Sequence, residues 1–240
     1  MFKKTMVILV VSSLALTVAC ESELDGKTAA TVHEATEAVD ESADQEADEQ
    51  QEEAYRELAF NQETSKIDWL GAKVTGDHDG GFKEWHGMAK VNAENGLEKV
   101  KFTVDTTSLW SDNDRLTGHL KDPDFFDVEK YPEAKFLSSS IKEGVEGEAE
   151  GTHTVTGNMT IKDQTKTISF PVTAAVEDNL MTINSEFTLM RFDFGVDFKG
   201  QADDLIRDEV LMKLSFELPL DQEAVAEEAE VAEEAETDEG

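Results

Sequence analysis

The chain is predicted to be all-β, an eight-stranded antiparallel barrel interrupted by one short helical excursion. Three observations predict this. Apolar and polar residues alternate at period two along several segments, as in strands with one buried face. Turn-forming clusters separate those segments by short connections, which require antiparallel neighbours. One segment, Asn113–Asp127, breaks the alternation.

Residues 1–20, MFKKTMVILVVSSLALTVAC, have two Lys, an apolar run and small residues before Cys20. That order is the pattern of a secretory signal peptide. The run is too short for a spanning helix, which needs about 20 apolar residues. Cys20 is the sole cysteine, so an intramolecular disulfide is excluded. Its place directly after Val18-Ala19 resembles a bacterial lipobox, in which the thiol receives a diacylglycerol, although Thr17 stands where such boxes carry Leu. The other reading is ordinary cleavage after Ala19. Either way the chain is expected to be exported to the periplasmic side of a bacterial membrane, or displayed on the surface. A lipidated Cys20 would make the membrane a partner through that anchor.

Charge divides the remainder. The formal net charge is −33, concentrated at the two ends. Residues 21–57 are rich in Glu, Asp, Ala, Thr, Gln and Ser, and such a composition buries too little apolar surface to offset ordering entropy. They are expected to be a disordered acidic tether, with a transient helix over Glu49–Leu58. Residues 221–240 repeat a Glu-Glu-Ala theme whose like charges at i,i+3 and i,i+4 oppose helix, so a solvated tail is expected. No basic patch exists to hold a phosphate backbone, which excludes nucleic acid as a partner.

Residues 58–220 form one domain by size. Val100, Phe102 and Val104 alternate with Lys99, Lys101 and Thr103. Ile168, Phe170 and Val172 alternate with Thr167, Ser169 and Thr173. Met181, Ile183, Phe187 and Leu189 share one side, and Val210, Met212, Leu214, Phe216 and Leu218 another. Further strands are expected over 66–75, 83–92, 134–142 and 152–162. Turns are expected at Asp79-Gly80-Gly81, Glu94-Asn95-Gly96, Lys162-Asp163-Gln164 and Asp178-Asn179. Asp114 is expected to cap a short helix carrying Leu116 and Leu120, ended by Pro123. The loop that follows, HLKDPDFFDVEKYP over His119–Pro132, carries Phe125, Phe126 and Tyr131 between acids. Those rings need burial, so the loop is expected to plug or cover a cavity.

A closed barrel of eight strands encloses room for packed side chains or for one slender ligand; periodicity leaves both open. The inward-facing set, and so the candidate ligand-binding set, is Phe102, Phe170, Phe187, Phe194, Met212 and Phe216, with Leu116, Phe125 and Phe126 from the excursion. Trp69, Trp85 and Trp110 lie either at a mouth or on an outer docking surface; Trp110 is placed in the ligand set. His119 and Arg191 are candidates for orienting a head group. The competing reading for His119 is a hydrogen bond to Asp124, and for Arg191 an ion pair with Asp193 or Asp127. Arg115 is a further candidate for an acidic head group. His78 and His86, with Asp77 and Asp79, do not have zinc-ligand spacing, and no metal or catalytic motif is recognised.

The strings Asp105-Thr106-Thr107-Ser108-Leu109, Asn113-Asp114-Arg115, His119-Leu120 and Asp124-Phe125-Phe126-Asp127-Val128-Glu129-Lys130-Tyr131-Pro132-Glu133-Ala134 resemble the YceI-like family. So do Thr154–Ile161 with Thr165-Lys166, and Arg191-Phe192-Asp193-Phe194-Gly195-Val196. The likeness runs in order through about residues 60–219. It implies a lipocalin-like barrel that binds a polyisoprenoid or other long amphiphilic lipid, a quinone among them, without catalysis or a cofactor. It also implies a homodimer in some members. The charged ends lie outside the family pattern. Two rival readings stand beside it: a lipid-modifying enzyme using the same cavity, and a filled barrel acting as a stress-response or adaptor protein through its surface and acidic ends.

Overall fold

A computed structural model describes residues 22–35, 55–145, 149–201 and 204–221. Its strands are β1 (Thr31–Glu34), β2 (Arg56–Asn61), β3 (Lys66–Lys73), β4 (Gly76–Phe82), β5 (Trp85–Val91), β6 (Leu97–Asp105), β7 (Leu109–Ser111), β8 (Glu133–Glu143), β9 (His153–Ile161), β10 (Gln164–Glu177), β11 (Leu180–Met190), β12 (Gly200–Gln201) and β13 (Asp204–Pro219). One helix, α1 (Asp114–Lys121), stands between β7 and β8. All strand pairs are antiparallel, apart from an isolated parallel bridge between Ala29 and Thr188.

The eight expected strands are eight passes of the chain, three of them bent. β2 turns into β3 at 62–65, β4 into β5 at 83–84, and β6 into β7 at 106–108, so each long pass contributes to two faces. β13 then pairs with β11 on one side, Met181 opposite Leu218. On the other it pairs with β3, Met212 opposite Trp69, which closes the sheet on itself. Among the described residues, closure leaves no long free strand edge.

Local chemistry places the connections. Asp178 and Asn179 both take positive φ (48° and 66°), the geometry of a two-residue hairpin whose twist matches the strands. Asn95 (φ 66°) and Lys162 (φ 56°) serve the other two expected turns. The fourth expected turn is wrong. Asp79-Gly80-Gly81 lies inside β4, opposite Leu70, Trp69 and Asp68, and the chain reverses earlier, at Val74-Thr75. The helix cap also moves by one residue. Asn113, not Asp114, accepts from the backbone N–H groups of Arg115 and Leu116. Asp114 sits in the first turn, where its charge opposes the positive end of the helix dipole.

The interior has a solid half and a hollow half. At the solid end Phe216 lies 4.8 Å from Phe60, 5.5 Å from Trp85 and 5.8 Å from Phe102 between ring centroids. Phe136 links this floor to Phe170 at 5.5 Å, and Phe170 stacks on Phe187 at 4.2 Å. Such tilted and offset contacts stabilise beyond the area they bury. The hollow half lies towards the β3–β4 hairpin, α1 and the segment between β11 and β13.

The tether reading fails for residues 22–35 and for the start of β2, which begins at Arg56 rather than after 57 and is extended where a transient helix is expected. β10 pairs with β11 only from Thr173 onward; over 166–169 β1 takes that place, with Val32 opposite Ile168. Ala30 N–H donates to Thr188 O and Thr188 N–H to Thr28 O, both at 2.9 Å, so the segment is stitched into the seam between β10 and β11. Ala30 and Val32 pack against the main core, and Leu24 is buried on the outer face with Leu70, Ala72 and Leu211. Composition hid this strap because a handful of apolar residues among acids suffices when backbone pairing supplies the rest. The expected signal segment with Cys20, the rest of the tether up to 54 and the tail from 222 lie outside the described residues.

Ion pairs pin the strap: Glu23 to Lys213 (2.5 Å), Asp25 to Arg207 (2.8 Å), Lys27 to Glu186, and Glu34 to Lys166 (2.8 Å). The hydrogen bond from Lys213 holds the Glu23 carboxyl below the usual carboxylate range, against a smaller opposing effect of burial. That from Arg207 does the same for Asp25. Because these values are lowered by folding, the pairs contribute fully above the ordinary carboxylate range and are lost as pH falls through the lowered values. Amides of residues 28–34 are therefore expected to lose hydrogen-exchange protection below about pH 4, before the barrel strands do. Strap protection that persists until the barrel itself opens would contradict this.

Candidate ligand cavity

Two adjacent glycines shape one wall. Trp69 pairs with Gly80, and its indole lies where a side chain at 80 would stand; a Cβ there would meet Trp69 Cζ2 at 2.0 Å and Trp110 O at 2.4 Å. On Gly81, one residue on and so on the opposite face, a Cβ would meet Asp68 Oδ1 at 2.5 Å and come within 3.0 Å of Trp110 Nε1. The pleat thus sends Trp69 inward and Trp110 outward. Gly80→Ala is expected to displace the Trp69 ring and to cost about 1–3 kcal/mol of stability. The check is a denaturant melt together with the near-ultraviolet dichroism of the indoles; an unchanged midpoint would mean that the wall yields freely.

The excursion covers the hollow end. Phe125 is buried and Phe126 half-buried. Asp127 takes the left-handed conformation (φ 50°) that turns the loop back, and the Lys130 and Tyr131 N–H groups donate to its carbonyl. The loop is clamped from outside. Lys162 Nζ donates to Phe125 O (2.9 Å) and Gly195 O (3.0 Å), tying the loop to the segment after β11. Tyr131 Oη donates to Asp163 Oδ2 (3.1 Å), and Thr106 Oγ1 to Tyr131 O (2.7 Å). Lys121 Nζ donates to Thr107 O (2.6 Å) at the foot of α1.

Beneath the cover lies a cavity of about 460 Å³, within the roughly 300–1,000 Å³ range of small-molecule sites. Its walls are apolar: Phe102, Val104, Met159, Phe187, Leu189 and Met212 among them, with Leu120, Phe125 and Phe126 above. The ionisable groups that line it are Lys73, His78, Arg115, His119 and Arg191, all basic in a strongly acidic chain. The accessible lining residues, Lys73 and His78 on the β3–β4 hairpin, Arg115, Leu116 and His119 on α1, and Phe198 and Gly200, mark its mouth.

Most of these polar groups are engaged in holding the walls. His119 Nε2 bonds Asp124 Oδ2 at 2.9 Å, and its ring stands edge-on to Phe125 (4.9 Å) and Phe198 (4.8 Å). The hydrogen bond to Asp124 expected in the structural reading of His119 is present, and the ring also faces the cavity. His78 Nδ1 bonds Asp112 Oδ1 at 2.8 Å, linking β4 to the approach to α1. Arg191 is 7 % exposed. Its Nη1 donates to Val196 O (2.6 Å) and Nε to Arg207 O (3.0 Å), with a longer contact from Nη2 to Ile206 O (3.4 Å). Burial pushes this guanidinium down from its usual value, while Asp208 and Asp197 oppose the shift. Arg191 thus ties the segment after β11 to the start of β13 through carbonyls rather than pairing with Asp193 or Asp127. Arg115 is exposed at the mouth.

Of the residues singled out in the sequence, Phe102, Leu116, His119, Phe125, Phe126, Phe187, Arg191 and Met212 do line the cavity. Phe170 and Phe216 belong to the solid floor, Phe194 is buried outside the cavity lining, and Trp110 faces the other side of the wall. Trp69, Phe82, Phe198 and Ile206 also line the cavity, outside the ligand-binding set expected from the sequence. Phe198 and Ile206 lie outside any long alternating run, so no periodic signal marks them. His119, Asp122 and Asp124 bring one ligand atom each within 4.8 Å of one another, a grouping created by the turn after α1. The His119–Asp124 bond accounts for two of the three.

A closed antiparallel barrel with a covered apolar chamber is a small-molecule-binding architecture. Residues 58–218 match the YceI-like domain, and the chain belongs to that family. It is 34 % identical over 142 residues to a UPF0312 protein of Pseudomonas putida strain W619, covering 56 % of this chain and 70 % of that one. It is 31 % identical over 144 residues to a UPF0312 protein of Pseudomonas fluorescens strain SBW25, covering 57 % and 73 %. Among solved structures, Burkholderia cenocepacia BcnA superposes with a TM-score of 0.55 at 24 % identity, over 64 % of this chain and 95 % of its own. A polyisoprenoid binding domain from Saccharophagus degradans superposes at 0.50 and 12 % identity, over 68 % and 98 %. These likenesses establish the lipocalin-like barrel expected from the resemblance.

Proposed function

We propose that the protein binds a polyisoprenoid or other long-chain amphiphile, a quinone-like lipid included, inside the barrel, and that it carries or stores this lipid without chemically altering it. The observation that carries this reading is the apolar chamber of about 460 Å³ beneath the Phe125–Phe126 cover. An apolar chain entering it gains about 25 cal/mol for each Å² removed from water. Family membership, and the named ligand class of the Saccharophagus domain, support the same class here. The polar groups of the wall are spent on its own architecture, His119 on Asp124 and Arg191 on carbonyls, which supports binding over turnover. A ligand head group then meets Arg115 at the mouth, with His119 beside it. Export past the inner membrane, with Cys20 as a lipid anchor, belongs to the same proposal.

Titration with farnesol and with hexadecanol, followed through the fluorescence of Trp69 in the wall, tests it. Saturable quenching or enhancement by either is expected, with an affinity that rises with chain length. No response to any chain length would overturn the proposal and favour the filled-barrel reading.

A further inference from the structure

We propose that the rim around Val74 and Leu205 contacts a lipid bilayer, so that the cavity opens directly onto a membrane surface. Val74 is 72 % exposed and Leu205 51 %, the two most exposed large apolar residues of the described chain. They are neighbours, for Val74 N–H donates to Leu205 O at 3.2 Å. Each adjoins a residue of the cavity wall, Lys73 and Ile206 respectively. Phe192, 40 % exposed, stands at the same end, after β11 and with its N–H bonded to Asp208. Single exposed apolar residues are ordinary on soluble proteins, but a cluster at the lip of an apolar chamber is not.

The path of the chain, with the Cys20 anchor proposed above, argues for lipid as the occupant. Ser22 Oγ donates to Asp77 Oδ2 at 3.1 Å, which fixes the start of the strap beside His78 on this same rim. The strap's ion pairs and the buried Leu24 then hold it along the outer wall. The apolar run that ends at Cys20 immediately precedes it in sequence. Two residues of chain reach about 7 Å at most, so an anchor on Cys20 would draw this rim, and no other part of the barrel, against the bilayer. The rim's charges are mixed, Lys73, Lys199 and Arg207 against Asp25, Asp77, Asp193 and Asp208, so adhesion comes from apolar insertion and suits a zwitterionic surface rather than an anionic one. Direct passage of ligand between bilayer and chamber rests on the lipid-binding reading; the rim contact rests on the Cys20 anchor put forward with it, not on what the cavity holds.

The test places p-benzoylphenylalanine at Val74, at Leu205 or at Val176, in a bacterium exporting the full chain. Val176 is 45 % exposed but sits at the opposite end, beside the β10–β11 hairpin. After irradiation, phospholipid adducts at 74 and 205 are expected to exceed those at 176 by about tenfold. Adducts no more frequent than at 176, or adducts to protein alone, would overturn the proposal. A second readout follows an anthroyloxy-palmitate probe from the purified protein into phosphatidylcholine vesicles. Its transfer rate should rise with vesicle concentration and fall about fivefold in Val74→Asp/Leu205→Asp, with probe affinity unchanged. A rate independent of vesicle concentration would overturn direct loading. Failure to take up any probe would instead overturn the lipid-binding reading, and the adducts alone would decide the rim contact.

Discussion

Phe126→Asp is expected to abolish lipid uptake while leaving the barrel folded. Phe126 is half-buried in the cover and lines the chamber, so its ring is part of the apolar contact surface. The cover does not depend on that ring for its path. The Phe126 N–H donates to Leu120 O (3.1 Å), Lys162 holds Phe125 O, and Thr106 holds Tyr131 O. A carboxylate in its place faces a choice between desolvation, which is costly in apolar surroundings, and drawing water into the chamber. Loss of the aromatic contact adds about 1.5–3 kcal/mol. Together these weaken binding by at least about a hundredfold. The titration with farnesol or hexadecanol measures this, with Phe126→Leu expected to retain most of the affinity. A folded Phe126→Asp protein that binds normally would remove the cover from the account.

Arg191→Met is expected to lower stability by about 3–5 kcal/mol, because it removes the buried guanidinium that donates to the Val196, Arg207 and Ile206 carbonyls. For a domain of this size that corresponds to a fall of about 10 °C in Tm. The clasp joins the turn after β11 to β13 through Val196 O and Arg207 O, and the Phe192 N–H bond to Asp208 lies beside it. Arg191→Lys should recover little, since an ammonium cannot reproduce the planar fork that reaches both carbonyls. Thermal unfolding followed by far-ultraviolet dichroism checks this. A Tm within about 2 °C of the unchanged protein would show that the carbonyls find other partners.

The long alternating strands were legible because each has one wet face: β6, β10, β11 and β13 appear in the sequence as period-two runs. β4 was not, because GDHDGGF has only one large apolar side chain and so shows no alternation; Gly80 and Gly81 leave the room that Trp69 and Trp110 occupy. β1 was hidden by its acidic surroundings, since the strap is held by backbone pairing with β10, by ion pairs and by Ala30 and Val32 packed on the core. The candidate site divides along the same line. Residues of the cover were found from their own chemistry, aromatic rings stranded among acids. Which strand residues face the chamber and which fill the floor depends on height along the barrel, so Phe187 and Phe170, stacked on each other, fall on opposite sides of that division. Arg191 stands out in the sequence by its charge, but its partners are backbone carbonyls, which carry no residue-specific signal.

Native mass spectrometry of the full chain, exported and purified without detergent and then extracted with solvent, tests the central claim most directly. Retaining the whole chain matters because residues 22–35 are part of the barrel wall. A discrete added mass, released on extraction as an isoprenoid, quinone or acyl species, is the predicted result. A bare protein mass that stays bare after incubation with quinones and isoprenoid lipids would contradict the lipid-carrying barrel.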